Sequence, residues 1–258
     1  MSPGSDAVAV AVAGGIATIT LQNPPANPLG VELRQGLDHA LDVSVEEDAR
    51  VIVLRSSVDG YFAAGADLKL LGSIDAAGFG DYLDALRAAI ERIPSLPMLS
   101  IAAIDGYALG GGLELAMACA MRVATPRSKL GVPEIKLGLL PGAGGTQRLP
   151  RIVGPGRALG MLLTGRSVGG EEAERMGLVD HLVPDGTADE AAAELAATFV
   201  AGPSNALAAI VRCVHAARDL PFAQGMEVER AEIMTLFENA DAREGLAAFL
   251  EKRRPTFG

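Results

Sequence analysis

The hydrophobic pattern of the first half of the chain alternates between strand-like and helix-like segments. Residues 7–21, AVAVAVAGGIATITL, alternate around Gly14-Gly15 and predict a hairpin with a two-residue turn. The short apolar runs at 50–56 (RVIVLRS) and 98–106 (MLSIAAIDG) predict buried strands. Helices are predicted over 30–43, 81–93 and 110–121, and two short strands over 122–132. Strands that alternate with helices favour an α/β layered core.

After about residue 200 the pattern becomes purely helical. Residues 205–219, 221–239 and 241–254 are three amphipathic segments with no strand between them. Pro203 and Pro221 suit first helical turns, and Asp241 is the predicted N-cap of the last helix. Three such helices must bury their apolar faces on the core or on another subunit. We therefore predict a core over residues 1–200 and a helical segment over 201–258.

The composition excludes several classes of protein. The chain has 258 residues, of which 49% are hydrophobic, so global disorder is excluded. No run approaches the roughly 18 apolar residues of a membrane span, and Met1–Asp6 lacks the basic start of a signal peptide. The net charge of −10 disfavours nucleic acid and anionic membranes as partners. The two cysteines do not suggest a disulfide framework, which fits a reducing compartment. We therefore expect a cytoplasmic protein.

Several motif-like segments do not support a cofactor or metal site. Residues 154–160, GPGRALG, are spaced one residue too widely for a dinucleotide-binding loop, which favours a plain helix start. Residues 142–148, GAGGTQR, lack the lysine of a P-loop. His39, His181 and His215 lie far apart without metal-ligand spacing, and no G-x-S-x-G elbow is present. We predict neither a metal nor a redox cofactor.

Two glycine-bearing loops and two glutamates remain as candidate chemistry. The loops are FAAGADLK at 62–69 and DGYALGGGLE at 105–114, which ends in Glu114. The second carboxylate, Glu134, follows a proline in GVPEIKLGLLPGAGGTQRLP at 131–150. Taken singly, such loops are usually turns, and Glu114 suits the positive end of a helix. Their combination in one order is harder to explain structurally.

In this combination the sequence resembles the enoyl-CoA hydratase/isomerase family, the crotonase superfamily, over nearly its whole length. The segments that carry the resemblance are NPPANPL, FAAGADLK, IAAIDGYALGGGLELAMACAMRVAT, LGVPEIKLGLLPGAGGTQRLPRIVG, LLTGRSVGGEEAERMGLVDHLVP and EGLAAFLEKRRPTF. The resemblance implies a crotonase-like α/β spiral of ββα units with a C-terminal helical oligomerisation segment. It also implies an acyl-CoA thioester substrate and no separate cofactor, because coenzyme A is part of that substrate.

The resemblance assigns roles to four positions. The backbone N–H groups of Ala66 and Gly111 are expected to form an oxyanion hole for the thioester oxygen of an enolate intermediate. Glycine lets the main chain approach the ligand, and the helix starting near residue 112 points its positive end at the same oxygen. Glu114 is expected to hold and activate a water molecule, while Glu134 exchanges the proton at the α carbon. Gly142 is a further candidate N–H donor near the water.

The resemblance also implies contacts with coenzyme A. The adenine and pantetheine are expected to contact the first loop, at Ala64, Asp67, Leu68 and Lys69. Lys69 is expected to neutralise a phosphate. Phe249 and Lys252 match positions that in relatives reach the nucleotide from a neighbouring subunit. This implies a homotrimer or a hexamer made of two trimers.

The two glutamates favour a hydratase over the alternatives. A double-bond shift needs one base, and family isomerases generally lack the glutamate at position 114. An isomerase, another acyl-CoA lyase and a non-catalytic acyl-CoA-binding module remain as alternatives. Val132 stands where several hydratases have glutamine and is expected to make the acyl pocket more apolar. Pro28, where alanine is commoner, is expected to stiffen the loop beside the thioester.

Overall fold

Two β-sheets form the core of the computed structural model, which describes residues 6–257. The strands are β1 Val8–Ala13, β2 Ile16–Leu21, β3 Val51–Ser56, β4 Tyr61–Ala63, β5 Leu99–Ile104, β6 Tyr107–Leu109, β7 Met121–Ala124, β8 Lys129–Gly131, β9 Ser167–Gly169 and β10 His181–Leu182. The larger sheet has the order β1-β2-β3-β5-β7-β10, and the smaller has the order β4-β6-β8-β9. Only the β1–β2 and β8–β9 pairs are antiparallel in these sheets.

The sheets are built from repeated ββα units. In each pair β3–β4, β5–β6 and β7–β8, the first strand joins the larger sheet and the second joins the smaller one. A helix follows each pair, so the chain winds forward as a spiral. The larger sheet's central strand β5 is buried at all six positions, which explains its unbroken apolar run. The predicted α/β spiral of ββα units is confirmed.

The helices cover the sheets and then continue beyond them. They are α1 Val31–Glu46, α2 Leu68–Leu71, α3 Ala76–Ser95, α4 Gly111–Ala118, a 3-10 helix Pro133–Leu137, α5 Gly145–Val153, α6 Pro155–Thr164, α7 Gly170–Arg175, α8 Ala188–Val200, α9 Ser204–Asp219, α10 Phe222–Phe237 and α11 Ala240–Leu250. The predicted hairpin at Gly14-Gly15, the helices near 30–43 and 81–93, and the helix start at 154–160 are confirmed.

Four helix boundaries differ from prediction. The helix predicted over 110–121 ends at Ala118, because Met121–Ala124 pairs with β5 instead. Asp241 is not an N-cap: Asn239 holds that position, and Asp241 lies in the first turn of α11, where a carboxylate still favours the helix dipole. The prolines at 203 and 221 also precede their helices as N-cap residues.

The three C-terminal helices leave much apolar surface exposed. Helix α10 has no buried residue among those described, and Phe222 and Phe237 are 85% and 67% exposed. On α11, Phe249 and Leu250 are 82% and 79% exposed. Within residues 6–257 no single helix combines the length and hydrophobicity of a membrane span; α8 and α9 meet both criteria only as a pair, bent by 111°.

Candidate active site

The start of α4 fixes the direction of one backbone N–H donor, that of Gly111. Gly110 has φ +52° and ψ −125°, a conformation that favours glycine. Its N–H donates to the Gly131 carbonyl at 2.8 Å, and its carbonyl accepts the first helical bond, from Glu114 N–H, at 2.9 Å. In a trans peptide the next N–H points the opposite way from that carbonyl. The N–H of Gly111 is thereby fixed, facing away from the helix.

The Gly65–Ala66 peptide positions a second donor in the same way. The Gly65 carbonyl accepts from Leu29 N–H at 2.8 Å, and Leu29 and Ala66 form an isolated parallel bridge. The Leu29 carbonyl in turn accepts from the Tyr82 hydroxyl at 2.9 Å. Because the Gly65 carbonyl is held, the N–H of Ala66 points away from Leu29.

These two donors lie at one place. A Cβ at Gly65 would lie 3.5 Å from Gly111 N, and a Cβ at Gly111 would lie 3.9 Å from both Ala66 N and Glu114 Oε2. Among residues 6–257, neither the Ala66 nor the Gly111 N–H donates to another described residue. The structure therefore brings together two free donors and one carboxylate oxygen around the glycine at 111.

Glu114 is held in a fixed orientation inside the protein. The residue is only 2% exposed. Its Oε1 accepts from the N–H groups of Ala143 and Gly145 at 2.8 and 2.7 Å, and Oε2 is the oxygen nearest Gly111. Burial raises the pKa of the carboxyl, while the two N–H groups and the positive charges of Arg148 and Arg87 oppose that rise. These two N–H groups fix the orientation of the carboxylate, while the proposed N–H of Gly142 near the water stays a prediction.

Glu134 approaches the same place from the 3-10 helix. A Cβ at Gly110 would lie 2.5 Å from Glu134 Oε1, so glycine leaves the space that this carboxyl occupies. Oε2 is buried and has no hydrogen-bond partner among the described residues. Burial raises its pKa to about 7, a bond from its own backbone N–H opposes the rise, and the negative charge of Glu114 adds to it. Such a group exchanges protons near neutral pH.

The predicted coenzyme A contacts divide between two places. Asp67, Leu68 and Lys69 line a cavity of about 600 Å³ together with the segment 23–32. Asp67 caps α2 by accepting from the N–H of Lys69 at 3.0 Å, and Ala64 N–H donates to the Ala26 carbonyl at 2.9 Å. Phe249 and Lys252 do not line this cavity. The contact predicted for these two residues is with coenzyme A bound to a neighbouring subunit, and it stays a prediction.

Sequence reasoning missed the groups that hold the site in shape. Asn27 is fully buried, and its side chain accepts from Asn23 N–H and donates to the Phe62 carbonyl. Tyr82 lies close enough to Asp67 and Glu114 that their charges, after burial, help to raise its pKa to about 12. A tyrosine hydroxyl bonded to a carbonyl leaves no local pattern in the sequence. Val132 is fully buried in the main core.

Comparisons with known proteins agree with one another. The sequence profile described as enoyl-CoA hydratase/isomerase matches residues 11–258. A Bacillus subtilis protein named "Probable enoyl-CoA hydratase" is 40% identical, with 98% of each chain covered. An "Enoyl-CoA isomerase/hydratase" of Mycosarcoma maydis is 39% identical, covering 94% of this chain and 92% of that one. A solved enoyl-CoA hydratase from Bacillus anthracis is 34% identical with TM-score 0.93, covering 98% and 99%.

Proposed function

The chain belongs to the enoyl-CoA hydratase/isomerase family, and we propose that it is a hydratase, adding water across a 2-enoyl-CoA to give the 3-hydroxyacyl-CoA. One observation carries the proposal: the N–H groups of Ala66 and Gly111, free among the described residues, lie beside the carboxyl of buried Glu114 and that of Glu134, whose Oε2 is buried. The two N–H groups can donate hydrogen bonds to the oxygen of a thioester. The two carboxyls can activate a water molecule and transfer a proton.

The oxyanion hole supplies the electrostatic part of the mechanism. Addition of water at the β carbon leaves negative charge on the thioester oxygen. Two fixed N–H groups stabilise that charge without reorganising, and loss of one such donor typically costs about 3 kcal/mol. The N-terminus of α4, whose eight residues are all buried, adds its positive end.

The carboxyls divide the proton transfers. Glu114, oriented through Oε1, accepts a hydrogen bond from water through Oε2 and acts as the base. Glu134, with a pKa of about 7, donates the proton to the α carbon. After one turnover the single shared proton has moved from Glu134 to Glu114. Dehydration starts from that second arrangement, so both directions use the pair with one proton.

The second carboxyl separates this proposal from its rivals. An isomerase needs one base at the shifting double bond, and Glu114 would then have no chemical task. A non-catalytic acyl-CoA-binding module would not need a carboxyl whose buried oxygen lacks a partner, because such burial is costly. The name of the Mycosarcoma maydis relative includes both activities, so isomerase is the rival to test.

The surroundings of the site support further parts of the proposal. We propose that coenzyme A lies in the 600 Å³ cavity lined by Asp67, Leu68 and Lys69, as part of the substrate and with no other cofactor. We also propose that the chain forms trimers, alone or stacked as hexamers, through residues 201–258. The exposed aromatic side chains of α10 and α11 support this assembly, since large exposed apolar patches mark interaction surfaces.

Turnover in water enriched in oxygen-18 tests the reaction. Short, medium and long 2-enoyl-CoA thioesters are incubated with the protein, and the loss of enoyl absorbance is followed. Mass spectrometry then locates the isotope. We expect heavy oxygen on the β carbon of the product. A product with a shifted double bond and no heavy oxygen would establish the isomerase, and tight CoA binding without turnover would establish the binding module.

A further inference from the structure

A second cavity lies behind the catalytic glutamate. Its volume is about 320 Å³, and helices α3, α5 and α9 line it together with the C-terminal turn of α4. The charged groups that face it are Arg87 and Glu91 from α3, Arg148 and Arg151 from α5, and Arg218 and Asp219 from α9. Four guanidinium groups therefore face two carboxylates.

The positive charge of this cavity is only partly neutralised. Arg148 bonds Glu91 at 2.7 Å, and Arg151 lies 3.9 Å from Asp219. Among residues 6–257, Arg87 and Arg218 form no ion pair. The whole chain has a net charge of −10, so the excess of positive charge at this cavity is opposite in sign to the charge of the protein. Clustered guanidinium groups match the oxygens of a phosphate.

The pKa of the His215 imidazole depends on the charges that line the cavity. His215 lines it from α9. Burial lowers the pKa of His215, the charges of Arg218 and Arg148 lower it further, and Asp219 opposes them. Of the described lining residues at the end of α4 and in the turn after it, Cys119 alone is titratable, and burial raises the pKa of this thiol to about 12. Burial and the two positively charged neighbours therefore both disfavour the protonated imidazole.

We propose that this cavity, lined by Arg87, Arg148, Arg151, Arg218 and His215, binds a small phosphate dianion, free or as a monoester, and that the bound anion slows the reaction at Glu114. The cavity is separate from the one that we assign to coenzyme A, and the two share no lining residue. Binding itself does not depend on the proposed function. The effect on rate rests on the proposed role of Glu114.

A short chain of bonds connects the cavity to Glu114. Arg148 Nη1 donates to the Ala143 carbonyl at 3.1 Å, and Ala143 N–H donates to Glu114 Oε1 at 2.8 Å. Gly144 has φ +108°, and a side chain there would overlap Arg148. An anion that engages Arg87 and Arg148 cancels two charges that favour ionised Glu114. The anion therefore favours the protonated form, which cannot act as a base.

Proton NMR of the three histidines tests binding without any assay of activity. The assembled protein is titrated at several concentrations of inorganic phosphate and of glycerol phosphate, with sodium chloride at matched ionic strength as reference. The H215Q variant assigns the resonance. We expect either phosphate compound to raise the pKa of His215 saturably, leaving His39 and His181 unchanged; the tighter ligand identifies the source. An equal change in sodium chloride, or none, would overturn the site.

Two arginine variants on the same helix provide the matched comparison. R218Q removes a charge that lines the cavity, whereas R212Q removes one outside it that pairs with Glu232. We expect R218Q to weaken phosphate binding about tenfold and R212Q to leave it unchanged. Equal loss in both variants would contradict the site.

Steady-state kinetics test the regulatory part. We expect phosphate to lower kcat/KM most on the acid side of the pH profile, in wild type and R212Q but much less in R218Q. A saturable change at His215 with no effect on turnover would refute the regulation while leaving the binding site. No turnover under any condition, with the change at His215 intact, would refute the proposed function alone.

Discussion

The two carboxyls of the candidate site lie in contrasting surroundings. Glu114 stands on a fully buried helix, with one oxygen fixed by the N–H groups of Ala143 and Gly145. Glu134 stands on a short 3-10 helix, partly exposed, with a buried oxygen that lacks any partner among the described residues. The first carboxyl is oriented by the fold. The second is kept poorly solvated, and its pKa is raised to about 7.

We propose that this difference separates a base, Glu114, from an acid, Glu134. Hydrogen bonds to an ionised carboxylate favour its charge, while burial without partners favours the neutral acid. At Glu114, burial favours the neutral acid while hydrogen bonds favour the ionised carboxylate. At Glu134, burial is the main influence. We expect the base to depend on geometry and the acid to depend on desolvation.

The largest effects are expected from E114Q and E134Q. Each variant keeps the size of the side chain but removes its acid–base function, so kcat should fall at least about 100-fold. The affinity for acetyl-CoA should stay nearly unchanged. E190Q, at an exposed position on α8, is the control. Near-wild-type turnover in either active-site variant would show that the assigned role is wrong.

A single methyl group tests the oxyanion hole. In G111A the new Cβ would lie 3.9 Å from Ala66 N and 2.8 Å from the flexible end of Leu29. It would occupy the space proposed for the thioester oxygen, so kcat/KM should fall roughly 100-fold. G160A, on α6 with nothing within 4 Å of the new Cβ, is the control. If G111A folds and turns over normally, the hole lies elsewhere.

A smaller effect is expected when the support of the hole is removed. Y82F deletes the hydroxyl that bonds the Leu29 carbonyl. A bond of about 1 kcal/mol corresponds to a roughly fivefold fall in kcat, with KM little changed. Binding of the enolate of acetoacetyl-CoA should weaken, whereas acetyl-CoA binding should not. Y61F, whose ring contacts Tyr107, serves as control. Equal weakening of both ligands would indicate a merely structural role.

The smallest effect concerns stability and depends on pH. The pKa of Glu134 is about 7 in the folded protein, against an ordinary 4.5. Folding therefore favours the protonated form, and this preference adds to the stability of the folded protein at low pH. The added stability is lost as pH rises from 4.5 to 7. Because the group is partly exposed, E134Q should be more stable than wild type by only about 1–2 kcal/mol at pH 8.

Urea denaturation at pH 8 and pH 5 measures that difference. The gain from E134Q should shrink at pH 5, where the folded wild type already carries the proton. E190Q should show no such dependence. A variant that is less stable than wild type at pH 8 would mean that the carboxylate at 134 is well solvated or paired, and the contrast with Glu114 would disappear.

The strongly periodic elements of the fold could be predicted from the sequence. The buried run of β5 and the apolar stripes of α1 and α3 carry clear patterns. Strands β4 and β6 were missed because three residues are too few to show a period. The end of α4 was placed three residues late, because pairing of β7 with β5 overrides the helical pattern there.

The candidate site was predictable where side chains or glycines mark it. Glu114, Glu134, Ala66 and Gly111 follow from motif and resemblance, and the structure places all four together. The N–H groups of Ala143 and Gly145 were missed because main-chain donors leave no side-chain signature. The bond from Tyr82 to Leu29 joins residues 53 positions apart, which no local pattern encodes.

Assembly as trimers and a cytoplasmic location stay predictions, and some relatives are named mitochondrial.

A crystal structure with bound acetoacetyl-CoA tests the central claim most directly. We expect the thioester oxygen to lie about 2.7–3.1 Å from both Ala66 N and Gly111 N, with Glu114 and Glu134 on either side of the reacting carbons. A thioester oxygen that reaches neither or only one of these donors, or a ligand whose reacting carbons lie away from both carboxyls, would contradict it.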